Sequence, residues 1–254
     1  MESKNKIAFV TGGSRGLGKD MALRLAQKGI DVIITYNTKA DEAQAVVAEI
    51  EKTGQKATAL QLNTGEVKSF NAFISQIKQV LNDKFGTDHL DFVINNAGFG
   101  HTAAITEVTE EDFDHLMNVH FKGVYFLTQR LLPLINNGGG IVNISSGLAR
   151  FALPGSSAYA CMKGAVEVYT RYLAKELGPR GIRANTVAPG AIATDFNGGH
   201  VRDNEQVNQM VRSVTALGRV GEAEDIGGLV AFLCTEDSRW ITGQRIEASG
   251  GMFV

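Results

Sequence analysis

Tyr159 and Lys163 stand four residues apart in SSAYACMKGA, residues 156–165. Residues at i and i+4 share one face of a helix, so this spacing sets an ammonium beside a phenol. A phenol, with a pKa of about 10, donates its proton poorly at neutral pH unless a cation stabilises the ionised form. The pair is therefore a candidate general acid with its own electrostatic support. The same spacing also fits a tyrosine packed at a helix edge beside a solvated lysine, so other residues must decide.

A second chemical signal is TGGSRGLGKD, residues 11–20, directly after the apolar run IAFV. Gly12, Gly16 and Gly18 stand as G-x-x-x-G-x-G between a strand and a helix, with Ser14, Arg15 and Leu17 filling the loop. Glycine permits the tight turn and the close approach of backbone N–H groups to a pyrophosphate, whose charge a helix N-terminus favours. Gly13 to Lys19 also reads as most of a P-loop, which implies a nucleoside triphosphate. That motif needs a hydroxyl residue next to hold magnesium, and Asp20 stands there instead. The dinucleotide reading survives and the P-loop reading fails.

The second strand ends in Thr35, Tyr36, Asn37, Thr38 and Lys39, with no carboxylate before Asp41. An acidic residue there holds the ribose 2′-hydroxyl of NAD. Its absence, with Arg15, Asn37 and Lys39 nearby, favours the 2′-phosphate of NADP(H) over NAD(H).

These residues need a scaffold, and the chain supplies a regular one. Apolar runs at IAFV, DVIITY, KATALQL, LDFVIN, GIVNIS, GIRANTVA and QRIEASGG alternate with amphipathic helical segments. Near-continuous apolar strands alternating with helices predict an α/β, Rossmann-type doubly wound parallel sheet of about seven strands, with helices on both faces in three α/β/α layers. The 254 residues suit one dinucleotide-binding catalytic domain over 1–254. The polar stretch 191–210 reads as a mobile substrate loop. A net charge of −2 gives no case for nucleic acid or an anionic membrane. Cys161 and Cys234 form neither a disulfide framework nor a metal-type spacing, so no metal is expected and a reducing, cytoplasmic setting is. The opening MESKNKIAFV is too short an apolar run for a signal peptide, and no later run reaches membrane-spanning length.

Further motifs fall in order: NNAG at 95–98, Asn118 in MNVHFKGVYFLTQ, ISS at 144–146 with Ser146 thirteen positions before Tyr159, and APG at 188–190. With TGGSRGLG and YACMK, the whole chain resembles a classical short-chain dehydrogenase/reductase. The resemblance implies that Tyr159 protonates the substrate carbonyl oxygen. Lys163 lowers the tyrosine pKa and binds the nicotinamide ribose, Ser146 hydrogen-bonds the oxygen, and Asn118 anchors a water that links Lys163 to solvent. It also implies cofactor contacts at Asn95, Ala97, Gly98, Pro189, Gly190, Ile192 and Thr194, besides Tyr159 and Lys163 themselves. Asn63 stands where an aspartate commonly faces the adenine. His120 reads as a packed or interfacial histidine.

The expected activity is hydride exchange between NADP(H) and a carbonyl or secondary alcohol of a mostly apolar small molecule, with Phe99, Phe151, Phe196 and Met210 as its wall. Reduction of a 3-oxoacyl group on an acyl-carrier protein is the alternative, for which Arg130, Arg171 and Lys175 are the available docking charges. A non-catalytic NADP-binding scaffold or sensor is an alternative of another class. The helices around Asp112–Ile135 and Ser157–Leu177, with the last strand, imply a homotetramer as in tetrameric relatives.

Overall fold

The computed structural model describes residues 5–254; the first four residues, part of the opening read against a signal peptide, lie outside the described residues. Seven strands form one parallel sheet in the order β3-β2-β1-β4-β5-β6-β7. They are β1 (Ile7–Val10), β2 (Asp31–Tyr36), β3 (Ala57–Gln61), β4 (Leu90–Asn95), β5 (Ile135–Ile144), β6 (Arg183–Pro189) and β7 (Arg245–Ala248). The helices between them are α1 (Gly16–Gln27), α2 (Ala40–Glu51), α3 (Phe70–Val80), α4 (Glu110–Met117), α5 (Gly123–Leu131) and α6 (Ser157–Leu177). Then follow α7 (His200–Asp203), α8 (Glu205–Ser213) and α9 (Glu224–Leu233).

The strands are apolar on both sides because both sides are covered. Ala8, Val10, Val32, Ile34 and Ile94 pack with Leu25 of α1, Val46 of α2 and Val230 of α9. The alternate positions Ile7, Phe9, Ile33 and Val93 pack with Phe73 of α3, Leu127 of α5 and Leu173 of α6. This period of two sorts each strand between two cores and makes three layers.

One row of the second core is polar. Asn95, Asn143 and Thr186 sit side by side on β4, β5 and β6. Asn95 Nδ2 donates to Asn143 Oδ1 at 2.8 Å and to Thr128 Oγ1 of α5 at 3.0 Å. Asn143 Nδ2 and Thr186 Oγ1 each donate to Thr170 Oγ1 of α6 at 2.9 Å, and Thr170 donates to the Val166 carbonyl. Every member is buried, so the row ties α5 and α6 to three strands without leaving an unpaired group.

The strand order reverses between β1 and β4, where β1 has β2 on one side and β4 on the other. At such a switch point the loops leaving adjacent strands diverge and open a crevice at the carboxyl ends. Two elements differ from the sequence reading. The 191–210 stretch, read as loop, carries a 3-10 turn over Phe196–Gly199, all of α7 and most of α8. Its hidden signal is Asn204, whose side chain caps α8 by accepting the Val207 N–H. The helix expected across Asp112–Ile135 is interrupted by a π-helical turn over Asn118–Lys122.

Candidate active site

A cleft of about 900 Å³ runs along the carboxyl ends of the strands from Arg15 and Lys39 to Tyr159 and Met210. At one end the glycine loop is held by hydrogen bonds from both neighbouring strands. Thr11 Oγ1 accepts the N–H groups of Asn96 and Ala97 at 2.9 and 3.0 Å, and Asn96 Nδ2 donates back to the Thr11 and Gly12 carbonyls. Gly12 has φ +67°, and a Cβ there would lie 2.9 Å from the Ala97 Cα. A Cβ on Gly18 would lie 2.1 Å from the Gly12 carbonyl oxygen. Only bare backbone lets α1 approach this closely, and its first turn carries no acidic residue.

Ser14, Arg15, Gly16, Leu17, Asn37 and Lys39 line this end. Arg15 is half exposed, with Nη1 4.0 Å from Asp195 across the cleft, and Lys39 Nζ is 3.7 Å from Glu42. Asn63 also lines the cleft, its Oδ1 accepting the Gly65 N–H at 3.0 Å. Ala97, Gly98, Pro189, Gly190, Ile192 and Thr194 line the middle. The segment after β6 is pinned there by Ala193 N–H to Gly221 and Gly190 N–H to Ala248.

At the other end α6 begins beneath the cleft. Tyr159 lies in its first turn and Lys163 one turn further on, so both face the carboxyl end of β5. Lys163 is buried; its Nζ donates to the Ile144 carbonyl at 2.8 Å and sits 5.4 Å from the centre of the Tyr159 ring. Burial pushes its ammonium down to about 8. Burial also pushes the Tyr159 phenol up, against a smaller downward pull from its hydrogen bond with Ser146. Ser146 Oγ accepts the Leu148 N–H at 3.2 Å, which leaves its proton to donate. Its carbonyl accepts from Arg245 Nη2, while Arg245 pairs with Glu167 at 2.7 Å and Glu167 accepts the Ser145 hydroxyl. The serine loop is thereby clamped between α6 and β7.

Two expected residues are placed elsewhere. Asn95 does not line the cleft: its side chain is a member of the buried polar row. Successive residues at a strand end point to opposite faces, so Asn96 takes the cleft side. Asn118 does not line the cleft either; its Cβ lies 3.9 Å from where a side chain on Gly65 would begin. Two residues on, His120 does line it. Its ring meets Tyr159 edge-on with centroids 5.1 Å apart, and its Nε2 is 2.9 Å from the Phe99 carbonyl. Burial and the Lys163 charge push this imidazole down to about 2.

Above these groups the walls are aromatic. Phe99 stacks on His115 with centroids 4.4 Å apart, Phe196 stands 6.2 Å from the Tyr159 ring, and Phe151 packs on Phe253 at 4.8 Å. Phe99, Phe151, Phe196 and Met210 all line the cleft, as the sequence reading expected.

The residues fit a nicotinamide dinucleotide. Glycines crowd the helix N-terminus, Arg15 and Lys39 stand at the end of β2 where residues 35–39 include no carboxylate, and a serine–tyrosine–lysine cluster sits at the far end. The fold and this cleft together define a Rossmann-type oxidoreductase. Comparison with known proteins agrees: residues 12–253 match the family described as Enoyl-(Acyl carrier protein) reductase. The hydroxynaphthalene reductase-like protein Arp2 of Metarhizium majus is 38% identical over 97% of this chain and 94% of its own length. Among solved structures, LugOII, a promiscuous reductase that catalyses keto-reduction at C1 during lugdunomycin biosynthesis, superposes with a TM-score of 0.93 at 38% identity, covering 99% of this chain and all of that one. The angucycline C-6 ketoreductase LanV with bound NADP gives 0.93 at 38% identity, covering 98% and 95%. This chain belongs to the classical short-chain dehydrogenase/reductase family, and it is an NAD(P)-dependent oxidoreductase of CH–OH and C=O groups.

Proposed function

We propose that the protein is an NADP(H)-dependent carbonyl reductase acting on a ring ketone of a mostly apolar, aromatic small molecule. The observation that carries this reading is the Ser146–Tyr159 hydroxyl pair at the foot of an aromatic-walled cleft. Two O–H donors converging on one point suit an oxygen on which negative charge develops, as it does when a carbonyl is reduced. A bound nicotinamide supplies the hydride to the carbonyl carbon, or removes it in the reverse direction. The protein's own groups manage the proton. Tyr159 donates to the oxygen, and Lys163, charged below about pH 8, stabilises the phenolate that remains. Arg15 and Lys39 would hold the 2′-phosphate, and the reading is supported by the relatives named above, one described as hydroxynaphthalene reductase-like, one as catalysing keto-reduction at C1 and one as an angucycline C-6 ketoreductase with bound NADP.

The acyl-carrier alternative is weaker. Arg130, one of its docking cations, is already committed to Asn71 and to the Phe126 carbonyl, and the cleft wall is aromatic rather than basic. The whole chain acts as one catalytic domain, and the 191–210 segment, with the exposed Phe196 and Met210, moves to admit substrate. The protein works as a homotetramer in the cytoplasm. Exposed Tyr125 of α5 and Val168 and Tyr172 of α6 offer the self-complementary helical face, both cysteines are free, and no helix among the described residues is long and apolar enough to cross a membrane.

The test is NADPH and NADH consumption on a panel of polycyclic ketones and 3-oxoacyl thioesters, with Tyr159→Phe as the blank. Turnover is expected with NADPH and ring ketones and is expected to vanish in the blank. Turnover confined to 3-oxoacyl thioesters, or an active blank, would reject the reading. Gel filtration at the monomer mass would reject the tetramer.

A further inference from the structure

Phe253 holds a backbone conformation that its side chain disfavours. Its φ is +54°, and among the described residues only one other non-glycine, Asn197, lies in this left-handed region. Asparagine tolerates it; a bulky aromatic residue is strained there and stays only where its surroundings fix it.

The surroundings do fix it. On one side the Phe253 N–H donates to the Val214 carbonyl at 2.9 Å, just beyond α8, and Met252 bridges to Thr215. On the other side Arg150, in the serine loop, donates to the Met252 carbonyl at 2.7 Å and to the Phe253 carbonyl at 3.3 Å. Arg150 is itself held by two 2.7 Å bonds to Glu247 of β7. The Phe253 ring packs on Phe151, with centroids 4.8 Å apart. Phe151 lines the cleft, whereas Phe253 does not and so stands behind it. Phe151 also presses on the loop that carries Ser146. A Cβ on Gly147 would lie 2.7 Å from Phe151 Cε1, just as one on Gly98 would lie 2.5 Å from His120 Cε1. The wall residue is thus held between the serine loop and Phe253.

We infer that Phe253 is a specificity-determining residue that acts through Phe151, fixing how far that ring stands into the substrate end of the cleft. This rests on the carbonyl reductase reading for the substrate but not for the contact. The strained conformation aims the ring at Phe151, a form of pre-organisation. With Phe253 in place the wall is fixed, and the cleft selects ketones that fit against it. Without it Phe151 retreats into the vacated volume, the cleft widens, and selectivity moves toward larger ring systems.

One arm of the experiment needs no substrate. Chemical denaturation of Phe151→Leu, Phe253→Leu and the double variant makes a double-mutant cycle, whose coupling is expected to be about two- to tenfold in the unfolding constant, the range for packed aromatic rings. Additive losses overturn the inference even where every ketone fails, whereas failure of the ketones alone strikes only the proposed activity. Should a leucine variant not fold, methionine at the same positions makes the cycle. The second arm compares 1-tetralone, with two rings, against cyclohexanone, with one. Phe253→Leu is expected to raise the ratio of their kcat/KM values about fivefold, with KM for NADPH held within about twofold. Phe253→Gly removes both ring and strain, so it should be more stable than Phe253→Ala and yet shift the ratio as far. Phe253→Tyr should keep the native ratio, since a residue 39% exposed leaves its hydroxyl a path to solvent. A glycine variant with the native ratio, or a KM for NADPH that moves as much as that for the ketones, overturns the role.

Discussion

Two buried polar clusters lie against β5, on α6, and only one of them is built to react. The row of Asn95, Thr128, Asn143, Thr170 and Thr186 is closed: each donor has an acceptor and each side chain is neutral. The cluster of Ser146, Tyr159, Lys163 and His120 is open. It holds a lysine pushed down to about 8, a phenol pushed up and an imidazole with a free nitrogen. Burial and composition do not separate the two. What separates them is unspent hydrogen-bonding and charging capacity, which costs stability and is available for substrate and cofactor.

Removing the reacting proton should separate them most. Tyr159→Phe is expected to reduce kcat by about 10³-fold or more with ketone and NADPH, while the melting temperature holds or rises slightly. A variant retaining a tenth of the activity would break the division. The mirror experiment is Asn143→Ala, which should lower unfolding stability by about 2–3 kcal/mol, or roughly 2–4 °C per kcal/mol in a chain of this size. Its KM values should be little changed, and an inactive but fully stable variant would contradict the structural role of the row.

Lys163→Met sharpens the contrast, because one substitution should abolish activity and yet stabilise the fold. The folded-state pKa of about 8 lies below the ordinary 10.5, so the unfolded chain holds the extra proton between those values. Burial of Lys163 therefore opposes folding fully below pH 8, and the cost fades as pH rises to 10.5. After loss of its bond to Ile144 is set against that cost, a gain of about 1–2 kcal/mol is expected at neutral pH. Chemical denaturation at pH 7 and pH 10 checks it: the gain should shrink at the higher pH, and a loss at pH 7 would refute the account. The smallest effect is at the cofactor's far end. Arg15→Ala should raise KM for NADPH about five- to tenfold and leave that for NADH within about twofold. Equal changes for both would mean that Arg15 does not read the 2′-phosphate.

Much of this was legible in the sequence. The spacing put Tyr159 and Lys163 one turn apart in a helix, the other motifs singled the pair out, and the glycine loop falls between a four-residue strand and α1 as its pattern required. The sheet and its two covered faces followed from strands with no polar side. The two expected residues that lie off the cleft lining share a geometric cause. Asn95 and Asn96 are neighbours at a strand end, where one faces the core and the other the cleft, and the motif does not say which. Asn118 and His120 are two apart in a helix, hence on nearly opposite faces, and the π-helical turn decides which one the cleft receives. The clamp from Arg245 through Glu167 to the serine loop joins residues 78 positions apart in the chain, and no local pattern marks it.

The close fit of Gly98 to the His120 ring has a consequence for varying this protein. The two positions share one volume, so their substitutions cannot be scored separately. An alanine at 98 drives its methyl into the imidazole, whose atoms are the three nearest to that Cβ, so a smaller residue at 120 removes the nearest clash. In a library that randomises both sites, tolerance at 98 should be read out only through the identity of 120. The pair forms a steric lock in which either key, cut alone, jams.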